Sequence, residues 1–174
     1  MLISHPDAYR LVIDAFTEII EKKGKFKFDF LAGTATAGIP WAAFLAYERK
    51  VPMIYVRSKP KMHGAEKMVE GDLPVGRSIL VVEDLISTGG SSVRTVEVLR
   101  KEGWATVTDV IAIFSYNFEK ARIEFENAKA KAWTVTNVQT LTDIAVEMGK
   151  ITKEEQAMVL EFTKDPDGWQ KLWA

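Results

Sequence analysis

Residues 78–115, SILVVEDLISTGGSSVRTVEVLRKEGWATVTDVIAIFS, decide the fold. SILVVED (78–84) and VTDVIAIFS (107–115) are apolar runs of strand length, and SSVRTVEVLRKEG (91–103) between them has helical spacing and stops at Gly103. Two such strands joined by a helix lie parallel, because a parallel pair needs a crossover connection. Upstream, FDFLAG (28–33), a helical segment over 38–48 and PMIYV (52–56) form a second unit of the same kind. Downstream, a helix over 118–128, the strand KAWTVT (131–136) and helices over 140–149 and 152–163 continue the alternation. The chain opens with a helix over 5–23, whose Leu11, Val12, Ala15, Phe16, Ile19 and Ile20 share one face, with Ser4 as N-cap, Pro6 in the first turn and Gly24 after the end. The pattern predicts an α/β fold: a doubly wound, mainly parallel sheet flanked by helices, with ligands beyond the C-terminal strand ends.

The 174 residues suit one domain over 1–174, with no internal repeat or linker to divide it. A chain of this size buries roughly 70% of its unfolded surface, and the 47% hydrophobic content supplies the core. The absence of Cys excludes thiol catalysis and Cys-ligated metals and fits a reducing compartment. With 23 basic against 24 acidic residues, no nucleic-acid partner is expected. No stretch reads as a secretory signal or membrane span, so a cytoplasmic, soluble protein without a membrane partner is expected. The one long irregular stretch, RSKPKMHGAEKMVEGDLPVGR (57–77), has the length of a lid or binding loop and is expected to be flexible.

LVVEDLISTGGSS (80–92) carries the chemistry. A buried strand ends in Glu83 and Asp84 and then enters a hydroxyl- and glycine-rich turn that opens a helix. Gly89 and Gly90 allow close backbone approach to an anion, helix N-terminal amides attract phosphate, and Ser87, Thr88 and Ser91 add hydroxyl donors. The carboxylates repel phosphate, so they accept hydrogen bonds from sugar hydroxyls or act near a metal ion. A plain tight turn would explain STGG alone but gives the two adjacent carboxylates no reason to be there. The string matches neither a Walker loop nor GxGxxG, which disfavours ATPase and dinucleotide-binding readings. In the 57–77 stretch, Arg57, Lys59, Lys61 and His63 concentrate cationic donors, which suits a polyanion whose charge grows as a bond breaks. Of the two His, His5 reads as a surface or capping residue.

LVVEDLISTGGSS closely resembles the phosphoribosyl-pyrophosphate (PRPP) motif of the type I phosphoribosyltransferases. AGTATAGIP (32–40) and YVRSKPKMHG (55–64) resemble the pyrophosphate and catalytic loops of the orotate phosphoribosyltransferase family in particular. The resemblance covers nearly the whole chain. It implies the type I phosphoribosyltransferase fold and transfer of 5-phosphoribosyl from PRPP to orotate, giving orotidine 5′-monophosphate and pyrophosphate, with Mg²⁺ as cofactor. Lys61, His63 and Asp84 would be catalytic. PRPP would be held by Arg57, Lys59, Lys61, His63, Glu83, Asp84, Leu85, Ile86, Ser87, Thr88, Gly89, Gly90 and Ser91, with Thr34, Ala35 and Thr36 in the pyrophosphate loop. Ser87 would also touch orotate, and no side-chain metal ligand is assigned, since Mg²⁺ would be held mainly by PRPP. The family further implies a homodimer whose catalytic loop reaches the neighbouring subunit's site.

Two departures stand out. Family members carry a hood segment before the first helix that helps hold orotate, whereas this chain begins inside the next element, so a complete PRPP half is expected, with either a truncated start or a reduced base pocket. Many members place Asp-Arg after the strand ending near 115, where this chain has Ser115, Tyr116 and Asn117, so no base-clamping Arg is assigned. A purine-type enzyme, a PRPP-binding regulator and an impaired PRPP-binding protein stay open as alternatives. Trp41, Trp104 and Trp133 are expected in core or interface packing, and Trp169 and Trp173 in a tail that docks on the domain or a partner subunit.

Overall fold

The computed structural model describes residues 2–24, 26–60, 67–166 and 168–169. Its strands are β1 (Phe30–Thr34), β2 (Met53–Val56), β3 (Val69–Glu70), β4 (Ile79–Ile86), β5 (Asp109–Ser115) and β6 (Lys131–Asn137). Its helices are α1 (Pro6–Glu18), α2 (Gly38–Arg49), α3 (Gly90–Gly103), α4 (Glu119–Asn127), α5 (Val138–Glu147) and α6 (Lys153–Lys164). One sheet runs in the order β3-β2-β1-β4-β5-β6, parallel except where β3 pairs antiparallel with β2.

Both faces of this sheet are covered. Val12, Ile13 and Phe16 of α1 join Trp41, Ala42 and Leu45 of α2 against Leu31, Leu80, Val82 and Ile111. On the other face, Val93, Val96 and Leu99 of α3 and Ala121 and Phe125 of α4 cover Val81, Val110 and Ala112. Strands buried on both faces lose the alternating pattern and read as continuous apolar runs, which is why SILVV was legible as a strand. The chain winds outward from β1 to β2, then returns to place β4 on the other side of β1. The β1/β4 junction is therefore the point where the winding reverses, and the crevice for a ligand opens beyond the C-terminal ends of these two strands.

Several expectations need correction. The 57–77 stretch is not wholly irregular: β3 forms within it, and the Arg57 amide donates to the Met68 carbonyl at 2.9 Å. A two-residue antiparallel edge strand is too short to carry a hydropathy period, so the sequence does not announce it. β4 runs to Ile86, two residues past the expected end, because Leu85 and Ile86 still pair with Phe114 and Ser115. Ser4 is not the N-cap: it lies in a 3₁₀ turn (Leu2–Ser4), and His5 holds the cap position without a side-chain hydrogen bond. α1 itself ends at Glu18, and the chain continues through a π-helical segment, Ile19–Gly24. Trp104 is not in the core but 78% exposed, just past the end of α3. Trp41 is buried, and Trp133 is half-buried with its indole N–H donating to Asp109 at 2.8 Å.

Candidate active site

Three segments meet at the C-terminal ends of β1 and β4. The first is the turn after β1, where Thr34 is buried as the last strand residue and Ala35, Thr36 and Ala37 lead into α2. The Ala35 amide donates to the Val56 carbonyl at 2.9 Å, and the Ala35–Thr36 peptide is cis. α2 starts hard against β4. A Cβ on Gly38 would stand 2.6 Å from the Val82 carbonyl oxygen and 3.4 Å from Glu83 Oε1. Only a glycine permits that approach, and it holds the Thr34–Ala37 turn beside the β4 carboxylates.

The second segment is the end of β4. Glu83 is buried, with 4% of its surface exposed, and its carboxyl group is enclosed by donors. The Ser91 and Ser92 hydroxyls donate to Oε2 at 3.2 and 3.1 Å, and the Asp84 amide donates to Oε1 at 3.2 Å. Burial pushes the Glu83 carboxyl up to about 8, helped by a hydrogen bond and charge repulsion from the adjoining Asp84 carboxyl; the Ser92 and Asp84 amide hydrogen bonds oppose the rise. Burial therefore favours the protonated form of Glu83 at neutral pH, beside a half-buried Asp84. Leu85 is half-buried, and the Ile86 side chain belongs to the core.

The third segment is the turn Ser87–Gly89 and the first turn of α3. Gly89 is the N-cap in a left-handed conformation, with φ of 83°, and no side chain caps the helix. The first-turn amides of a 14-residue helix thus face the turn without a competing side-chain acceptor, as an anion site requires. Ser87 is half-buried, while Thr88, Gly90 and Ser91 are exposed at the turn.

At the open side, Arg57 follows β2 and its guanidinium pairs with Glu70 of β3 at 3.1 Å, while its Nε donates to the Lys59 carbonyl at 3.3 Å. Lys59 is exposed. Lys61 and His63 lie outside the described residues. On the far side, the end of β5 carries aromatic rings where a base-clamping Arg was missing. Tyr116 stacks on Phe118 with centroids 5.2 Å apart, and Phe114 meets Tyr116 edge-on. The Tyr116 amide donates to the Ile86 carbonyl at 3.0 Å, which places this aromatic group next to the end of β4.

Sequence reasoning missed Gly38, Ser92, Thr95 and Arg94. Ser92 had a signal, since it lies in the quoted motif, but nothing in the string says that it faces Glu83. Arg94 of α3 reaches the Ser58 carbonyl at 3.4 Å. Thr95 hydrogen-bonds Thr34 at 3.2 Å across 61 positions of chain, which no local pattern records. Among the described residues, no group of three or more His, Asp or Glu is placed to hold a metal ion. The only carboxyl of the β4 pair that is not buried is that of Asp84, so a hard cation here would have to be carried in largely by oxygen atoms of a substrate.

Comparison with known proteins places the chain that carries this carboxyl pair, turn and glycine-tight loop in a family. The phosphoribosyl transferase domain family model matches residues 1–148. An orotate phosphoribosyltransferase of Coxiella burnetii is 44% identical over 98% of this chain and 80% of its own length. The chain belongs to the orotate phosphoribosyltransferase family. Among solved structures, the orotate phosphoribosyltransferase of Aeropyrum pernix is 31% identical with a TM-score of 0.73, covering 86% of this chain and 81% of that one. The UMP synthase of Leishmania donovani aligns with a TM-score of 0.77 at 26% identity over 93% of this chain, which spans 34% of that longer protein. No described helix is long and apolar enough to cross a membrane.

Proposed function

We propose that this chain transfers the 5-phosphoribosyl group of PRPP to orotate, forming orotidine 5′-monophosphate and pyrophosphate in pyrimidine biosynthesis. The observation that carries the reading is the junction of β4 and α3, where an adjacent carboxyl pair meets an uncapped helix N-terminus. In this reading Ser87, Thr88, Gly89, Gly90 and Ser91 hold the 5-phosphate through hydroxyls and amides. Asp84 and Glu83 take the ribose hydroxyls, with Leu85 and Ile86 setting the strand end from which the turn departs. Thr34, Ala35 and Thr36 line the pyrophosphate side, and Ser87 also meets orotate.

The bond from the anomeric carbon to the pyrophosphate oxygen breaks as the bond to orotate N1 forms. Positive charge develops on the ribose ring and negative charge on the departing oxygen. Arg57, Lys59, Lys61 and His63 oppose that negative charge, which they stabilise more in the transition state than in the ground state. Mg²⁺, which PRPP would hold with the Asp84 carboxyl as the protein group able to assist, would supply further charge neutralisation there. Closure of the 57–77 segment excludes water that would otherwise hydrolyse PRPP. The active form is a cytoplasmic homodimer, with this segment reaching the neighbouring subunit's site.

The test is orotate consumption by the purified chain with PRPP and Mg²⁺, run beside the purine bases. Turnover with orotate alone is expected, whereas turnover with a purine base in its place would reject the assignment. Replacing Lys61 with Ala should lower kcat by about 10²-fold or more with a smaller change in PRPP binding, as for a group acting on transition-state charge. Unchanged turnover would remove Lys61 from the mechanism.

A further inference from the structure

Among the described residues, six polar side chains are buried: Thr34, Glu83, Ser92, Thr95, Ser115 and Thr142. Four of the six form one seam. Ser92 bonds Glu83 at 3.1 Å, and Thr95 bonds Thr34 at 3.2 Å. Ser92 and Thr95 stand three residues apart on α3, on the face that also carries Val96 and Leu99 into the core. Farther along, that face is apolar, as packing alone would favour. At its first turns it carries hydroxyls instead, and each hydroxyl contacts a different strand, Thr95 the end of β1 and Ser92 the C-terminal half of β4.

The chemistry of the two contacts differs from ordinary core filling. A buried hydroxyl costs free energy unless it is paired, so neither Ser92 nor Thr95 is a neutral substitute for Ala or Val. Their partners are the groups that the functional reading gives to ribose and pyrophosphate, and α3 itself starts at the turn given to the 5-phosphate. We propose that Ser92 and Thr95 are positioning residues that lock the β4 carboxyl and the β1 loop to the helix carrying the phosphate turn. The three parts of the PRPP site then hold one relative geometry, with Thr95 setting the pyrophosphate side and Ser92 the ribose side. This inference rests on the PRPP reading of the site.

The test compares Thr95→Val, Thr95→Ala and Thr95→Ser with the wild-type chain, first for folding by thermal melting. KM for PRPP, kcat and the dissociation constant for pyrophosphate are then measured. Ala and Ser remove the same methyl group and differ only in the hydroxyl, so this pair decides the matter even if the Val variant does not fold. Loss of one buried hydrogen bond corresponds to about a tenfold rise in PRPP KM and pyrophosphate dissociation constant in Val and Ala, with kcat within about twofold and Ser near wild type. In a Thr34→Val, Thr95→Val double variant, the two effects should coincide instead of adding, because both remove the same bond.

A Thr95→Ser variant as impaired as Thr95→Ala would assign the role to methyl packing and overturn the proposal. Three variants that bind as the wild type does would overturn it as well. A wild-type chain that binds neither PRPP nor pyrophosphate would overturn the functional reading and this proposal with it.

Discussion

α3 and α6 are helices of similar length, 14 and 12 residues, yet they are held in opposite ways. α3 buries Ser92, Val93, Thr95, Val96, Leu99 and Gly103, and no side chain caps its start. α6 buries none of its residues but starts with a complete capping box, in which Thr152 Oγ1 accepts from the Glu155 amide at 3.1 Å and Glu155 accepts from the Thr152 amide at 2.7 Å. Its Met158 and Val159 stay exposed, and Phe162 meets Phe118 and Trp169 edge-on. Capping fixes a helix from its own sequence, whereas burial fixes it from the rest of the fold. Of the two, α3 is the one without a side-chain cap, which leaves its first-turn amides open, as the proposed phosphate site needs.

The comparison breaks hardest at Gly89. Replacing it with Val puts a β-branched residue at a φ of 83° and a Cβ 3.3 Å from Ala121 Cα. A loss of about 3 kcal/mol in urea unfolding is expected, together with loss of PRPP binding. A variant as stable as the wild type would show that α3 does not depend on this turn.

Glu83 sharpens the same side of the comparison through pH. The folded chain keeps a proton up to about 8 that the unfolded chain releases near 4.5. Its contribution to stability is therefore complete below pH 4.5 and is lost as pH rises through about 8. For Glu83→Gln, which carries no such proton, the part of the decline due to this group, on the order of a few kcal/mol, should vanish between pH 5 and 8. Unfolding curves at these two pH values check it, and an unchanged slope in the variant would place the titration elsewhere.

The smallest effect belongs to α6. Thr152→Ala removes the cap and should cost about 1 kcal/mol, or a fall of about 2–4 °C in Tm, with orotate turnover unaltered. A larger loss, or a change in KM for PRPP, would show that α6 supports the site after all.

Much of this contrast was legible in advance. The apolar runs at 78–84 and 107–115 and the helical spacing at 91–103 gave the parallel unit, since burial on both faces leaves a mark on every residue of a strand. The candidate site was readable wherever its residues are neighbours in sequence: Glu83 to Ser91 form one string, and their proximity needs no fold to enforce it. β3 was not readable, because two residues cannot show a period. Thr95 was not readable either, because a threonine on an inner helix face looks the same whether its hydroxyl meets a backbone carbonyl or a side chain far away in the chain.

By itself, then, the sequence determined the order of the helices and of every strand but β3, the hydroxyl- and glycine-rich turn after β4 and the cationic 57–63 string, since each rests on local spacing and residue chemistry. Only the tertiary structure decided that β4 lies beside β1, that Gly38 seats α2 against Glu83 and that the Glu83 carboxyl is buried enough to stay protonated. Those outcomes depend on distances between segments far apart along the chain and on the exclusion of water from a packed interior. A linear string of residues records neither quantity.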